Sequence, residues 1–186
     1  MEKSKAKKIA FYGVMTALMF TFLLIETYLF SAFFGNFTPA ILTLPLAVAL
    51  SLFNGKRGMW VGGLIFGSCS FFLAVCISNP IFLNPLISIL PRIFIGLVAF
   101  FVYFLANKIF SNSKSEFLKE ILPCSLAGIF GILTNSVCTI FMMWVFNAAE
   151  LAAVLTVIIS INFVAEVIGA AVLAPIYVKV FKRMNK

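Results

Sequence analysis

The chain has 186 residues, of which 63% are hydrophobic and only 11% are charged, and its formal net charge is +8. Soluble domains carry roughly a quarter charged residues, so this composition excludes an ordinary soluble protein and predicts an integral membrane protein. The apolar runs reach about 20 residues, the length at which an α-helix crosses the hydrocarbon core. The alternating pattern of outer-membrane β-barrels is absent.

In chain order, the sequence predicts six transmembrane helices, over residues 8–34, 38–53, 58–77, 85–107, 122–146 and 151–178. The second stretch is short and contains Pro39 and Pro45, so we expect it to be tilted, broken or only partly spanning. All connections are short. The fold class is therefore an all-α integral membrane protein, with residues 1–186 as a single six-helix domain.

The basic residues predict the orientation of these helices. Thirteen of the fourteen fall before the first span, between spans two and three, between spans four and five, or after span six. The intervening loops contain no Lys or Arg. The positive-inside rule makes the basic side cytoplasmic, with both termini inside a bacterial-type plasma membrane. The net charge is explained by anionic lipid and needs no nucleic acid.

Several kinds of chemistry are missing from the chain. It has no histidine, and no phosphate-binding loop, metalloprotease or hydrolase motif occurs. Its four cysteines lack CxxC spacing, so we interpret them as reduced packing residues. We therefore expect no enzyme, no catalytic residue, no metal site and no cofactor, and the function to be binding, passage or assembly.

The polar side chains of the predicted spans gather in the outer half of the membrane. Counting ~1.5 Å per residue, Arg92 and Glu26 lie roughly 12 Å below the outer surface, and Asn135 and Asn162 roughly 17 Å below it. Glu166 lies one turn from Asn162 on the same face. This distribution predicts an outward-facing pocket. The candidate ligand-binding residues are Arg92, Asn84, Asn79, Asn135, Asn162, Glu166, Trp144, Asn147 and Glu26.

Arg92 is the one basic residue inside the membrane, and it follows Pro91. Pro91 frees a carbonyl one turn earlier, near Ile87, so this side of the helix should face inward. Two readings of Arg92 stay open: a counter-ion for an anionic ligand, or an internal ion pair with Glu26 or Glu166. For the asparagines, interhelical hydrogen bonds are an equal alternative. Trp144 is more typical of a membrane belt than of a stacking platform.

Small residues form stripes on three of the predicted helices, a pattern that lets helices approach closely. In spans three and six the stripes indicate packing within the chain. In span one the stripe begins at the basic, cytoplasmic end, where a partner protein is the better interpretation. The span-one stripe consists of Ala6, Ala10, Gly13 and Ala17.

These features resemble the substrate-binding S components of energy-coupling factor (ECF) vitamin transporters, over nearly the whole chain. "NPLISILPRIFIGLVAFFVY" is similar to the family's fourth span, and "LPLAVALSLFNGKRGMWVGGLIFGSCSFF" to its second and third, with Asn54-Gly55 in place of the usual Gly-Pro. The resemblance implies a binding subunit that captures a vitamin from outside, with a site built from spans four to six and the outer loops. It also implies a transmembrane coupling subunit, contacted through the span-one stripe, and two cytoplasmic ATPases.

The form of the fourth span looks most like members assigned to pantothenate, a carboxylate that suits Arg92. Folate, riboflavin and other precursors remain alternatives. A second hypothesis is a non-transport membrane assembly protein of the cell-shape type, which resembles S components in size and span number. A third, a self-sufficient carrier or small membrane enzyme, is disfavoured because histidine, paired acids and a clear inverted repeat are all lacking.

Overall fold

The computed structural model of the protein describes residues 2–34, 39–148 and 161–184, and its regular structure in these ranges is entirely helical. A 3₁₀ turn, Gly55–Arg57, follows the second helix, and a π-helical turn, Phe117–Ile121, precedes the sixth. The helices are α1 (Glu2–Phe34), α2 (Thr43–Asn54), α3 (Val61–Cys76), α4 (Pro85–Ser88), α5 (Leu90–Phe110), α6 (Leu122–Val145) and α7 (Ile161–Met184).

Four stretches of the described chain are long and apolar enough to cross a membrane: Lys5–Phe30, Pro85–Phe110, Phe117–Val145 and Phe163–Met184. α3 is a shorter apolar helix of 16 residues. The prediction of an all-α, multi-pass membrane protein is therefore confirmed. Six crossings and cytoplasmic termini stay predictions, and residues 151–160 of the predicted sixth helix lie outside the described residues.

The second predicted span is a short helix in the centre of the bundle. α2 has 12 residues, which rise only ~18 Å against the ~30 Å of a hydrocarbon core. Every residue from Thr43 to Leu52 is buried, and α2 contacts α1, α3, α5, α6 and α7. Pro45 lies in its first turn, where a missing backbone N–H costs little. The helix therefore serves as a protein core rather than as a lipid-facing span.

Two adjacent glycines let α3 lie directly against the backbones of α2 and α5. A Cβ on Gly62 would lie 2.0 Å from the carbonyl oxygen of Ala47, and a Cβ on Gly63 would lie 1.9 Å from that of Arg92. Any larger side chain would push the helices apart. The prediction that the small residues of span three serve packing within the chain is confirmed, and Gly63 fixes the backbone from which Arg92 projects.

α1 is attached to the bundle along one narrow stripe. Met15, Met19, Leu23 and Glu26 are buried at helical spacing. Among the contacts the structure describes, α1 packs mainly on α3 and more lightly on α2. The opposite face of the same helix is therefore left outside the bundle.

The N-terminal end of α1 is held by aromatic contacts. The Phe11 ring centroid lies 5.4 Å from that of Phe53 in α2 and 5.7 Å from that of Phe181 in α7. The Tyr12 hydroxyl donates to Asn54 Oδ1 beside this cluster. Aromatic pairs at these separations are stabilising. They therefore attach the predicted partner-binding end of α1 to α2 and α7.

Candidate functional site

The connection between α3 and α5, which the sequence predicts to lie on the outer side and which we call the outer loop, is ordered by two asparagines. Ser78, two residues after the end of α3, has φ = 53°, and the Oδ1 of Asn79 accepts from Ile81 N at 3.2 Å. Asn84 caps α4 by accepting from Leu86 N at 3.0 Å. The "NPL" motif is therefore a capped helix start, with proline at its first position. Both predicted site residues lie in this loop, and their side-chain oxygens bind its backbone.

Arg92 satisfies the carbonyl group that Pro91 releases. Pro91 has no N–H to donate to Ile87 O, the acceptor four residues earlier, and Arg92 Nη1 donates to that oxygen at 2.8 Å. Arg92 is only 6% exposed. The inward orientation expected for this side of the helix is therefore confirmed.

The guanidinium also lies close to the faces of two aromatic rings. Arg92 Cζ is 5.5 Å from the centroid of Phe66 in α3 and 5.1 Å from that of Phe82 in the outer loop. The Ser88 hydroxyl donates to Phe82 O and so ties this loop to α4. Arginine on an aromatic face is stabilised by about 0.5–2 kcal/mol per ring, depending on desolvation. Neither Phe66 nor Phe82 could be singled out from the sequence, because the chain contains 23 phenylalanines.

Arg92 forms no ion pair with a carboxylate within the described ranges. Its Nε is buried and has no hydrogen-bond partner there. Glu166 is within electrostatic range of Arg92 without bonding to it. The two aromatic rings and the one carbonyl group offset only part of the free-energy cost of burying this cation. The guanidinium is therefore suited to an added anion.

The two membrane glutamates bind the backbone at the start of α2. Glu26 from α1 accepts from Leu42 N, from Thr43 N at 3.3 Å and from Thr43 Oγ1 at 2.7 Å. Glu166 from α7 accepts from Ala40 N at 2.9 Å. Carboxylates at a helix N-terminus satisfy N–H groups that have no intrahelical acceptor. The observed partners of both residues are thus the segment before α2, which they fix between α1 and α7.

α6 contributes two polar side chains at the level of Arg92. A Cβ on Gly131 would lie 3.2 Å from Ile95 Cγ2, and Met143 packs with Ile87. Between these two levels α6 carries Asn135 and Thr139, whose buried oxygens lack hydrogen-bond partners among the described residues. Thr139 was not among the predicted site residues, although it lies one turn from Asn135.

The remaining predicted site residues lie apart from this cluster. Trp144 is 58% exposed and its ring lies 6.2 Å from that of Phe141, another exposed aromatic. Asn147 is exposed and takes φ = 48° just after α6, where Ala148 N bonds to Met143 O. A helix ending of this kind favours asparagine. The side chain of Asn162 lies outside the described part of the chain.

The predicted partner-binding stripe is accessible in the isolated chain. All four of its residues are exposed, and an added Cβ on Gly13 would meet nothing within 4 Å. By contrast, Ala170 and Ala174 of the span-six stripe are fully buried, as expected for packing within the chain. The face of α1 with the smallest side chains is thus open for close approach by another helix.

These elements define the class of protein: a multi-pass helical membrane protein that holds a buried cation beside uncharged polar groups. Such an arrangement can bind a small anion. The described residues contain no group of three or more His, Cys, Asp or Glu side chains placed to hold a metal ion.

Comparison with known proteins identifies a relative. The chain is similar to the pantothenic acid transporter PanT of Lactococcus lactis subsp. cremoris (strain MG1363), with 25% identity over 194 residues, covering 93% of this chain and 92% of the relative. No protein-family model matches the chain. The similarity confirms the resemblance to S components of the pantothenate type, and the apolar helices support a multi-pass membrane protein.

Proposed function

We propose that the chain is the substrate-binding subunit of an ECF-type importer that captures pantothenate from outside the cell. The observation that carries this proposal is the similarity to a pantothenic acid transporter along nearly the whole chain. The site supports it independently, because a buried guanidinium with a free Nε offers hydrogen bonds and charge to a carboxylate. The relative is a transporter, and we accordingly propose a binding role rather than catalysis.

In this proposal Arg92 binds the carboxylate, and Phe66 and Phe82 shape the pocket around it. Asn135 and Asn162 extend the pocket between α6 and α7, under an outer loop ordered by Asn79 and Asn84. Glu26 and Glu166 hold the start of α2 next to the site. We assign Trp144 and Asn147, which lie apart from this cluster, to the outer entrance of the pocket.

The test is ligand binding by the purified protein in detergent. Mass spectrometry of small molecules released on denaturation should detect pantothenate, and calorimetry should show saturable binding of added pantothenate. Arg92→Ala should weaken this binding by about a hundredfold or more, because hydrogen bonds to charged groups contribute ~1.5–3 kcal/mol each. Arg57→Ala, at an exposed cation of the opposite end, is the matched control.

The outcomes separate the alternatives. Release of folate, riboflavin or another vitamin would support the transport role but contradict pantothenate as the ligand. Full pantothenate binding by Arg92→Ala would remove the proposed anion site. Co-purification with cell-wall enzymes, without any vitamin, would support the cell-shape hypothesis, and uptake by this chain alone in vesicles would support a self-sufficient carrier.

We further propose that a transmembrane coupling subunit packs on the exposed small-residue stripe of α1 and links the chain to two cytoplasmic ATPases. Gly13→Leu fills the open face of this stripe, so it should abolish co-purification of the coupling subunit while leaving pantothenate binding intact. Val164→Leu, on the exposed face of α7, is the control. Retention of the complex by Gly13→Leu would contradict this interface.

A further inference from the structure

The buried face of α6 that passes the site is formed by one line of residues spaced four apart. Residues four apart lie on the same side of a helix, and the line runs through Ala127, Gly131, Asn135, Thr139 and Met143. All are buried except Asn135, which is half-buried. The line otherwise consists of small or apolar residues, and its outer half thus contains two polar side chains one turn apart.

The bonding of the Thr139 hydroxyl differs from that of three other threonines in the membrane helices. A threonine in a helix ordinarily donates to the carbonyl four residues earlier. Thr134 does so, to Phe130 O at 2.8 Å, and Thr16 and Thr21 of α1 do so at 2.8 and 2.9 Å. Thr139 is 8% exposed, yet its Oγ1 has no partner in the part of the chain that the structure describes. A buried hydroxyl without a partner is costly, which favours a partner from outside the chain.

The register of α5 and α6 places this hydroxyl at the level of the cation. Gly131 lies against Ile95, and Met143 lies against Ile87. α5 and α6 run in opposite directions, so Asn135 and Thr139 fall between these levels, where Arg92 also lies. Asn135 and Thr139 are one turn apart, or about 6 Å along the axis. This spacing suits an extended ligand with a carboxylate at one end and uncharged polar groups along its length.

We propose that Thr139 is a specificity-determining residue of the site: its hydroxyl, beside the Asn135 carboxamide, binds a hydroxyl group of a ligand whose carboxylate is held by Arg92. The proposal rests on the proposed function and narrows it to the class of hydroxyl-bearing carboxylic acids. Simple fatty or aromatic acids would leave the Thr139 hydroxyl and the Asn135 oxygen unpaired and would be disfavoured.

The test compares two ligands on four forms of the purified full-length protein. The ligands are pantothenate and an analogue of it in which hydrogen replaces both hydroxyl groups. The proteins are the wild type, Thr139→Val, Thr139→Ser and Thr134→Val. Valine keeps the shape of threonine without its hydroxyl, serine keeps the hydroxyl, and Thr134→Val removes a hydroxyl that is already bonded within α6.

We expect Thr139→Val to weaken pantothenate binding by about tenfold or more, the effect of leaving one polar group unpaired. The deoxy analogue should bind wild type and Thr139→Val equally. Thr139→Ser should bind pantothenate within about fivefold of wild type, the loss of one buried methyl group. Thr134→Val should match wild type for both ligands.

Two results would overturn the proposal while the proposed function stands: wild-type affinity of Thr139→Val for pantothenate, or an equal loss for pantothenate and the deoxy analogue, which would indicate packing. A wild-type protein that binds no pantothenate would overturn the proposed ligand and this proposal together. Thermal unfolding of each variant, measured without ligand, excludes misfolding as the cause of a loss.

Discussion

Replacing Glu26 should show that this buried carboxylate is a structural cap for the central helix. It accepts two backbone N–H groups and one hydroxyl at the start of α2, from Leu42 and Thr43. Glu26→Ala leaves these donors buried beside a cavity. Glu26→Gln keeps an oxygen for the backbone donors and places an amide near the Thr43 hydroxyl, which can accept a bond.

The two substitutions should therefore differ in size of effect. An unsatisfied buried donor costs ~1–3 kcal/mol. Because local adjustment relieves part of this cost, we expect Glu26→Ala to lower the free energy of unfolding by about 3 kcal/mol. For a chain of this length that corresponds to a fall of about 6–12 °C in the unfolding temperature. Glu26→Gln should cost about 1 kcal/mol or less, since it also removes a buried charge.

A thiol-reactive dye can report this unfolding in detergent, because Cys69 and Cys124 are buried. The already exposed Cys76 gives the baseline. Glu116→Ala, at an exposed acidic residue, is the control and should melt with the wild type. Wild-type stability of Glu26→Ala, or an equal loss in Glu26→Gln, would refute the cap. Loss of ligand binding with full stability would instead make Glu26 a direct ligand contact.

Two further predictions concern the start of α5. Arg92→Gln should lower stability by about 1–3 kcal/mol, because it leaves Ile87 O without its donor. Adding Pro91→Ala supplies a backbone N–H for this carbonyl and should restore stability but not pantothenate binding. No recovery in thermal melts would contradict the role of Arg92 as donor to the carbonyl that Pro91 frees. Gly63→Ala should lower stability by about 1–3 kcal/mol, because its Cβ would meet Arg92 O at 1.9 Å. The stability of Gly13→Ala, whose added Cβ enters open space, should equal or slightly exceed that of the wild type. Similar unfolding temperatures for Gly63→Ala and Gly13→Ala would contradict the close packing of α3 on α5.

The sequence alone determined the class of the protein and the position of its main charge. Composition and run length predict helices in lipid, because backbone polar groups must be satisfied within each segment there. The same reasoning predicted that Pro91 would free the carbonyl of Ile87 and turn this side of the helix inward. Arg92 Nη1 indeed bonds to that oxygen. These are local consequences of chain chemistry, which is why sequence reasoning reached them.

Hydropathy could not predict how α2 is used. A 12-residue helix buried throughout has the same apolar composition as a lipid-facing one, and only its neighbours distinguish the two environments. The partners of Glu26 and Glu166 were equally hidden, since a carboxylate at membrane depth can meet a ligand, a cation or a helix start. Tertiary packing brings the residues before α2 to both carboxylates.

Some residues of the candidate site could be predicted from the sequence and others could not. Arg92 and Asn135 were predictable, because polar side chains are rare in lipid and therefore conspicuous. Phe66, Phe82 and Thr139 were not, because phenylalanine is abundant in this chain and threonine in a membrane helix usually bonds to its own backbone. The sequence thus determined which groups are costly in the membrane. Only the tertiary structure, through the close contact of α3 on α5 and the register of α5 against α6, decided which groups compensate that cost and which are left without a partner in the described part of the chain.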